Sequence, residues 1–148
     1  MNVRELDPAR DMVEWLQLRR GLFADSTEAE HRREMAEILA EAEGCVLVVE
    51  RPSSPHLAGY LCVGTRKYAE GCTSSPVAYL EEWFVAADAR RQGVGKALIA
   101  AAEAWARQNG YTELASDTTL DNDISLASHL ALGFTEVERQ INFIKKLR

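Results

Sequence analysis

A glycine-bearing basic turn between a predicted strand and a predicted helix has the composition of an anion-binding site. The segment Arg90–Lys96 combines three basic side chains with Gly93 and Gly95. The first N–H groups of a helix have no partner inside it and carry partial positive charge. Glycine lets the backbone curl around an anion there. We therefore expect a phosphate or pyrophosphate ligand; the alternative is an ordinary glycine turn with solvated basic residues.

Carboxylates lie where two predicted strands approach a cleft. Glu81 and Glu82 interrupt the apolar strand Val77–Val85, and strict alternation puts them on opposite faces. A carboxylate in such a strand is costly unless it is paired or faces a cleft. We expect one of them to be solvent-facing and the other to line an acceptor site. Asp117 ends the next strand, where ligands of α/β sheets gather; its alternative role is a turn or helix cap.

Length and charge restrict the class of protein. A chain of 148 residues, 47% hydrophobic and 27% charged, suits one soluble domain with a sizeable core. A formal charge of -6 argues against nucleic acid or an anionic membrane as the main partner and fits a cationic acceptor.

Cysteine usage and the absence of apolar runs favour a cytoplasmic protein. Cys45, Cys62 and Cys72 are odd in number and lack metal-type spacing, so we expect reduced thiols and no metal. No stretch resembles a signal peptide or a membrane span.

Periodicity and capping signals predict a mixed α/β domain. The predicted strands are Met1–Glu5, Cys45–Glu50, Leu57–Lys67, Val77–Val85, Thr112–Asp117 and Phe134–Leu147, with a seventh near Gln140–Lys146. The predicted helices run from Asp7-Pro8 to near Phe23, from Thr27 to Gly44, from Val94 to Gly110, and from Ile124 to Leu132 with Asp123 as the cap. The expected fold is therefore a twisted sheet of about six or seven strands with four helices over it.

The basic turn resembles a family signature. Arg90-x-x-Gly93-x-Gly95 is similar to the Arg/Gln-x-x-Gly-x-Gly/Ala turn of the GCN5-related N-acetyltransferases (GNAT), whereas the Walker pattern is absent and G-x-G-x-x-G fails at Leu98. The resemblance implies a single GNAT domain over residues 1–148 and acetyl-CoA as cosubstrate. The cofactor-binding positions that it implies are Trp83, Phe84, Val85, Arg90, Arg91, Gln92, Gly93, Val94, Gly95, Lys96 and Asn122. For Asn122 a plain turn-forming role is the alternative.

The reaction that the family implies is acetyl transfer from a thioester to an amine. An alkylammonium has a pKa of about 10 and must lose a proton before it attacks, so Glu81 or Asp117 could take that proton directly or through water. The resemblance places a backbone N–H near Val85 against the carbonyl oxygen. Many relatives have a Tyr four residues before the Gly of Leu132-Gly133-Phe134; here that position is His129, with either a general-acid or a structural role.

Three longer segments are also distinctive: Gly71-Cys72-x-Ser74-Ser75-Pro76-Val77-x-Tyr79-Leu80-Glu81, Ala115-Ser116-Asp117-Thr118, and Ala131-Leu132-Gly133-Phe134 with Glu138. They resemble the aminoglycoside 6'-N-acetyltransferases, and the likeness covers most of the chain from about Tyr68 onward. The acceptor-binding positions carried over from that resemblance are Phe23, Tyr68, Glu81, Glu82, Asp117 and Glu138. Relatives commonly have Trp at position 23 and a small residue at position 82, so Phe23 and Glu82 depart from the pattern.

Two other readings stay open. The acceptor could be a polyamine, another amino sugar or a protein amine, and the chain could be a CoA-binding module without turnover. The resemblance also implies a homodimer through the C-terminal segment, where residues 140–144 alternate and could pair at a sheet edge.

Overall fold

The computed structural model describes all 148 residues, which form two compact units, residues 1–117 and residues 118–148. The elements of the first unit are β1 (Val3–Glu5), α1 (Met12–Leu22), α2 (Glu28–Ala40), β2 (Cys45–Glu50), β3 (Leu57–Arg66), β4 (Val77–Val85), a short 3-10 turn (Ala87–Ala89), α3 (Val94–Gln108) and β5 (Leu114–Ser116). The second unit contains α4 (Asp123–Ala131). None of these helices is long and apolar enough to cross a bilayer.

One mixed sheet organises the first unit. Its strands follow the order β1-β2-β3-β4-β5, antiparallel through β4, with β5 parallel to β4. The mixed α/β class is confirmed. The prediction of six or seven strands is wrong, because the sheet has five and residues 134–148 form no strand. Alternating apolar residues there predict a half-buried strand, but a strand needs an edge to pair with, and Phe143 and Ile144 are 92% and 88% exposed in the single chain.

The two faces of the sheet carry different helices. Trp15 of α1 is fully buried and meets Tyr60 of β3 edge to face, with ring centroids 6.2 Å apart. On the opposite face, a Cβ added at Gly59 would lie 3.2 Å from Val94 of α3, so this glycine permits close packing of helix and strand. Even-numbered residues of β3 from Tyr60 onward therefore face α1, and odd-numbered ones face α3.

Capping residues explain where the helices begin and end. The capping box predicted at Thr27 is present: its hydroxyl accepts from the Glu30 N–H at 3.1 Å and its N–H donates to the Glu30 carboxylate at 3.2 Å. The second helix nevertheless ends at Ala40, before Gly44. Gly110 adopts a φ of 85°, the left-handed conformation expected of a residue that ends a helix.

Two predicted helix starts are wrong by a few residues. Asp7 and Pro8 form a turn, and α1 begins at Met12 after Asp11. Asp11 makes no cap bond to the helix; its carboxylate instead accepts two hydrogen bonds from the Arg4 guanidinium, at 2.7 and 3.0 Å. In α4 the cap is Asn122, whose side-chain oxygen accepts from the Ser125 N–H at 3.0 Å, so the predicted cap at Asp123 is instead the first helical residue.

Candidate active site

A β-bulge in β4 turns both predicted strand glutamates toward the same face of the sheet. Cys62 pairs with Glu82 and Val63 pairs with Leu80, so Glu81 is the extra residue of the bulge. An extra residue breaks the strict alternation of side chains. Glu82 then lies beside Cys62, and the Glu81 side chain lies over Gly64, on the face that α1 covers. The predicted opposite-face placement is therefore wrong.

Glu81 is held by an arginine of the neighbouring strand. The Arg66 guanidinium donates to both oxygens of the Glu81 carboxylate, from Nε at 2.8 Å and from Nη2 at 2.7 Å. Both side chains are partly exposed, 44% for Arg66 and 37% for Glu81. The hydrogen bond from Arg66 is the main reason that the arginine pKa is above its ordinary value. The carboxylate is thus paired, yet it stays within reach of a solute.

Asp117 is held by a tyrosine of β4. The Tyr79 hydroxyl donates to Asp117 Oδ2 at 2.5 Å, since Tyr79 pairs with Ala115 and both side chains then lie on the same face. Burial, followed by this hydrogen bond and the charge of Asp117, raises the pKa of Tyr79 above its ordinary value. Tyr79 therefore stays protonated at neutral pH and donates a hydrogen bond to Asp117, whose side chain is exposed at the end of β5.

Glu82 lies in a buried ion-pair network. Its carboxylate pairs with Arg19 of α1, whose side chain is fully buried, and accepts from the Tyr60 hydroxyl at 2.8 Å. Arg19 also pairs with Glu34 of α2. Burial lowers the pKa of Arg19, but the hydrogen bond and charge of Glu82 outweigh that effect and leave the pKa raised. Acceptor binding by Glu82 stays a prediction; the structure adds a second role, linking both helices to β4.

The predicted anion-binding turn has an open helix N-terminus. Gly93 is the N-cap of α3 with a φ of 85°, and no side chain caps the helix. Arg91 also has a positive φ, 62°, so the turn curls over two nearby residues. Arg91, Gln92 and Lys96 are exposed, whereas Val94 is buried. Unsatisfied N–H groups, partial positive charge and two exposed cations at one place suit a pyrophosphate.

The residues around this turn brace it. Arg90 donates from Nε to the Val85 carbonyl at 3.1 Å, and its guanidinium lies 5.6 Å from the centre of the Phe84 ring. Gln92 donates to the Asp88 carbonyl at 3.2 Å. A Cβ added at Gly95 would lie 3.1 Å from the Trp83 ring. The end of β4 and the start of α3 therefore support one another, as the predicted set Trp83–Val85 requires.

Two further acceptor-side predictions lie in the first unit. Phe23 ends α1, is 37% exposed, and has the Arg19 guanidinium 5.1 Å from its ring centre. Tyr68 is 66% exposed and donates to Glu70 at 2.9 Å. The loop that carries Tyr68 is fixed by Glu113, whose Oε1 accepts from the Thr73 and Ser74 N–H groups at 2.9 and 2.7 Å.

The second unit contains the remaining predicted residues, Asn122, His129 and Glu138. The His129 Nδ1 lies 2.7 Å from the Ser125 carbonyl, and its ring meets Phe134 edge to face at 5.1 Å. A carbonyl only accepts, so Nδ1 donates this hydrogen bond. Glu138 is exposed, and Asn122 uses its side-chain oxygen as the helix cap.

Comparison with known proteins identifies the family. A model described as the acetyltransferase (GNAT) family matches residues 10–134. The chain belongs to this family. It is 47% identical over 140 residues to an aminoglycoside N(6')-acetyltransferase type 1 of Klebsiella aerogenes, covering 93% of this chain and 91% of that protein. A similar protein of Acinetobacter haemolyticus is 41% identical over 149 residues, with 99% of each chain covered.

Solved structures of GNAT enzymes agree with this assignment. The apo crystal structure of an aminoglycoside antibiotic 6'-N-acetyltransferase from Acinetobacter haemolyticus superposes with a TM-score of 0.92, 39% identity and 100% of both chains covered. The structure of AAC(6')-Iy in complex with the bisubstrate analogue CoA-S-monomethyl-acetylneamine has a TM-score of 0.90 and 34% identity, over 99% of this chain and 98% of that one.

An open cleft of about 590 Å³ lies elsewhere in this GNAT chain, between α1, the β2–β3 hairpin and the residues after β4. Its lining includes Glu14, His56, Phe84 and Asp88, and none of the acceptor carboxylates. No group of three or more His, Cys, Asp or Glu side chains is arranged to hold a metal.

Sequence reasoning missed the partners of the predicted acids. Three of the four predicted carboxylates, Glu81, Asp117 and Glu82, are contacted by Arg66, Tyr79 and Arg19 respectively. Tyr79 precedes Glu81 by two residues, the spacing of neighbours on one face of a strand, and this signal could have found it. Arg66 and Arg19 are 15 and 63 residues from their partners, and no local pattern indicates such a pairing.

Proposed function

We propose that this chain is an acetyl-CoA-dependent aminoglycoside 6'-N-acetyltransferase that works by direct transfer in a ternary complex. The observation that carries the proposal is the acidic site on one face of the sheet, where Glu81 lies beside Tyr79 and Tyr79 holds Asp117. Relatives of 35–47% identity that cover the chain almost completely bear the name aminoglycoside N(6')-acetyltransferase. Cationic amino sugars are the substrates that such a site should prefer.

Asp117 is the residue that we assign to the reacting amine. Tyr79 occupies Oδ2 and keeps the carboxylate in one orientation, which leaves Oδ1 for an ammonium group. The amine must lose a proton before it can attack, and Asp117 or Glu81 takes it directly or through water. Glu82, Tyr68 and Phe23 complete the proposed acceptor site in the first unit, with aromatic rings for the sugar and a carboxylate for its other charges. Acceptor binding by Glu138, in the second unit, is proposed from the family resemblance.

The α3 N-terminus is the proposed site for acetyl-CoA, which supplies the acetyl group as a thioester. The uncapped N–H groups after Gly93 and the exposed side chains of Arg91 and Lys96 bind the pyrophosphate. A backbone N–H near Val85 would hold the carbonyl oxygen. In the second unit, contact of Asn122 with the pantetheine arm and proton donation by His129 to the departing thiolate are proposed from the family resemblance.

We also propose a single catalytic domain, a cytoplasmic location and a homodimer. The family match over residues 10–134 extends across the boundary between the two compact units and supports one domain. Three free cysteines and a cosubstrate of central metabolism suit the reducing cytoplasm.

The exposed apolar residues Ile141, Phe143 and Ile144 suit a surface that a second copy covers. Light scattering on the intact chain and on Phe143→Asp should give a dimer and a monomer.

The release of the CoA thiol tests the proposed function. The assay would offer acetyl-CoA with an aminoglycoside that has a free 6'-amine and with one that has a 6'-hydroxyl. We expect release with the first and none with the second. Release only with polyamines or peptides would keep an acetyltransferase and overturn the antibiotic assignment. Acetyl-CoA binding without release from any amine would identify a binding module.

A further inference from the structure

A resident cation already occupies the acidic site. The Arg66 guanidinium forms two parallel hydrogen bonds with Glu81, at 2.8 and 2.7 Å. Its central carbon also lies 3.5 Å from the centre of the Tyr79 ring. The hydroxyl of that same ring donates to Asp117. Arg66 thus touches the carboxylate and the aromatic face of the site that we assign to the acceptor.

These contacts are the ones that an ammonium acceptor would use. Carboxylates attract a cation by charge, and the face of an aromatic ring attracts it through its quadrupole. The Arg66 guanidinium and a substrate ammonium group cannot both contact Glu81 and the Tyr79 ring without weakening each other's interactions, because like charges repel at close range. An ammonium group that pairs with Glu81 must therefore displace the arginine.

The position of Arg66 allows its side chain to move away from Glu81. It is the last residue of β3, and its side chain is 44% exposed. An exposed ion pair is worth at most about 1 kcal/mol and an exposed cation–π contact about the same. A polycation that gains other contacts in the site can therefore offset the free energy lost when Arg66 is displaced.

We propose that Arg66 is a built-in competitor that sets the affinity for the cationic acceptor. The inference rests on the proposed function, because it assumes that Glu81 receives the ammonium group of the substrate. Only molecules in which Arg66 has left Glu81 bind the acceptor at full strength, so the apparent affinity is reduced by the fraction of such molecules. Arg66 neutralises Glu81 until the cationic acceptor displaces it.

An orienting role for Arg66 makes the opposite prediction. If the guanidinium only fixes Glu81 in a productive conformation, its loss should weaken acceptor binding and slow transfer. If Arg66 competes, its loss should strengthen acceptor binding and leave transfer unchanged. The sign of the change in acceptor affinity therefore separates the two roles.

The experiment compares Arg66→Gln with Arg107→Gln. Arg107 is an exposed arginine near the end of α3 that pairs with Glu103, so its substitution removes the same charge outside the site. We expect Arg66→Gln to lower the acceptor KM about three- to tenfold with kcat within about twofold of the intact enzyme. Arg107→Gln should leave both constants unchanged. Equal thermal midpoints for the variants would exclude a folding effect.

Calorimetry of an aminoglycoside with each protein, without acetyl-CoA, makes the test independent of transfer. Tighter binding by Arg66→Gln supports the inference even if no acetyl group is transferred, whereas failed turnover of the unsubstituted chain rejects the proposed function alone. Unchanged or weaker binding by Arg66→Gln overturns the inference, and so does an equal gain in Arg107→Gln. Absence of binding to every protein overturns it as well.

Discussion

The Tyr79 hydroxyl donates to Asp117 at 2.5 Å, joining the middle of β4 to the end of β5. Tyr79 is nearly buried and its pKa is raised, so this donor stays protonated throughout the pH range in which an acetyltransferase is assayed. The exposed carboxylate directly after the three-residue strand β5 is thereby fixed by a side chain of the nine-residue strand β4. Such support orients a group that must meet a substrate.

Asp117→Asn should lower kcat/KM for an aminoglycoside by about tenfold or more. Asparagine keeps an acceptor oxygen for Tyr79 but has neither the negative charge nor the ability to take a proton. Steady-state kinetics at saturating acetyl-CoA would measure the effect. Glu43→Gln, which removes one exposed negative charge away from the predicted site, is the control. Unchanged kinetics for Asp117→Asn would remove this residue from the mechanism.

Gly93→Ala and Gly110→Ala should separate cofactor binding from backbone strain. Both glycines have a φ of 85° and no neighbour within 4 Å of an added Cβ, so each substitution should cost about 1 kcal/mol of stability. Only Gly93 lies at the α3 N-terminus, so only Gly93→Ala should raise the KM for acetyl-CoA, by about tenfold. Equal effects of the two on that KM would refute the assignment of the turn.

The local rules of the sequence predicted much of the fold. The capping box at Thr27 and the helix stop at Gly110 are both predicted from short-range spacing, and the structure contains each of them. Such features depend on a few neighbouring residues, so the sequence alone suffices. The turn at Gly93 is also predicted from short-range spacing, because the strand, the glycine-bearing turn and the helix lie close together in the sequence.

Features that depend on long-range pairing were not predicted. The bulge at Glu81 reflects a shift in register between β3 and β4. No property of Glu81 itself predicts this shift. Asp11 looks like one more acidic residue near a helix start, yet its role is set by Arg4 of β1. The alternating C-terminal segment predicts a strand, but alternation shows only that a segment is able to pair. It does not identify the neighbouring strand with which the segment would pair.

The buried network of Arg19 should make Glu82 more important for stability than Glu34. Arg19 is fully buried, Glu82 is 12% exposed and Glu34 is 39% exposed. Glu82→Ala leaves a buried cation without its main partner and should cost about 3 kcal/mol. Glu34→Ala removes a more solvated partner and should cost less than about 1 kcal/mol. Urea unfolding would measure both.

A further variant, Glu82→Gln, shows how Glu82 contributes to activity. If Glu82 acts mainly through Arg19 and Tyr60, Glu82→Gln should lower stability with little change in the acceptor KM. A large rise in that KM at an unchanged unfolding midpoint would assign the carboxylate to substrate instead.

The Arg4–Asp11 pair should make stability depend on acid pH. The hydrogen bond from Arg4 lowers the pKa of Asp11 below its usual 3.8 in the folded chain. The stabilisation is therefore complete above the unfolded pKa and is lost as the pH falls through the lower folded value. Asp11→Asn should cost about 2 to 3 kcal/mol at neutral pH, and the difference from the intact chain should shrink as the pH falls below about 4. Denaturant unfolding at several pH values would measure this, with Asp25→Asn, an exposed aspartate, as the control. A stability difference that stays constant down to the lowest pH would show that packing around Asp11, rather than its charge, is what the substitution removes.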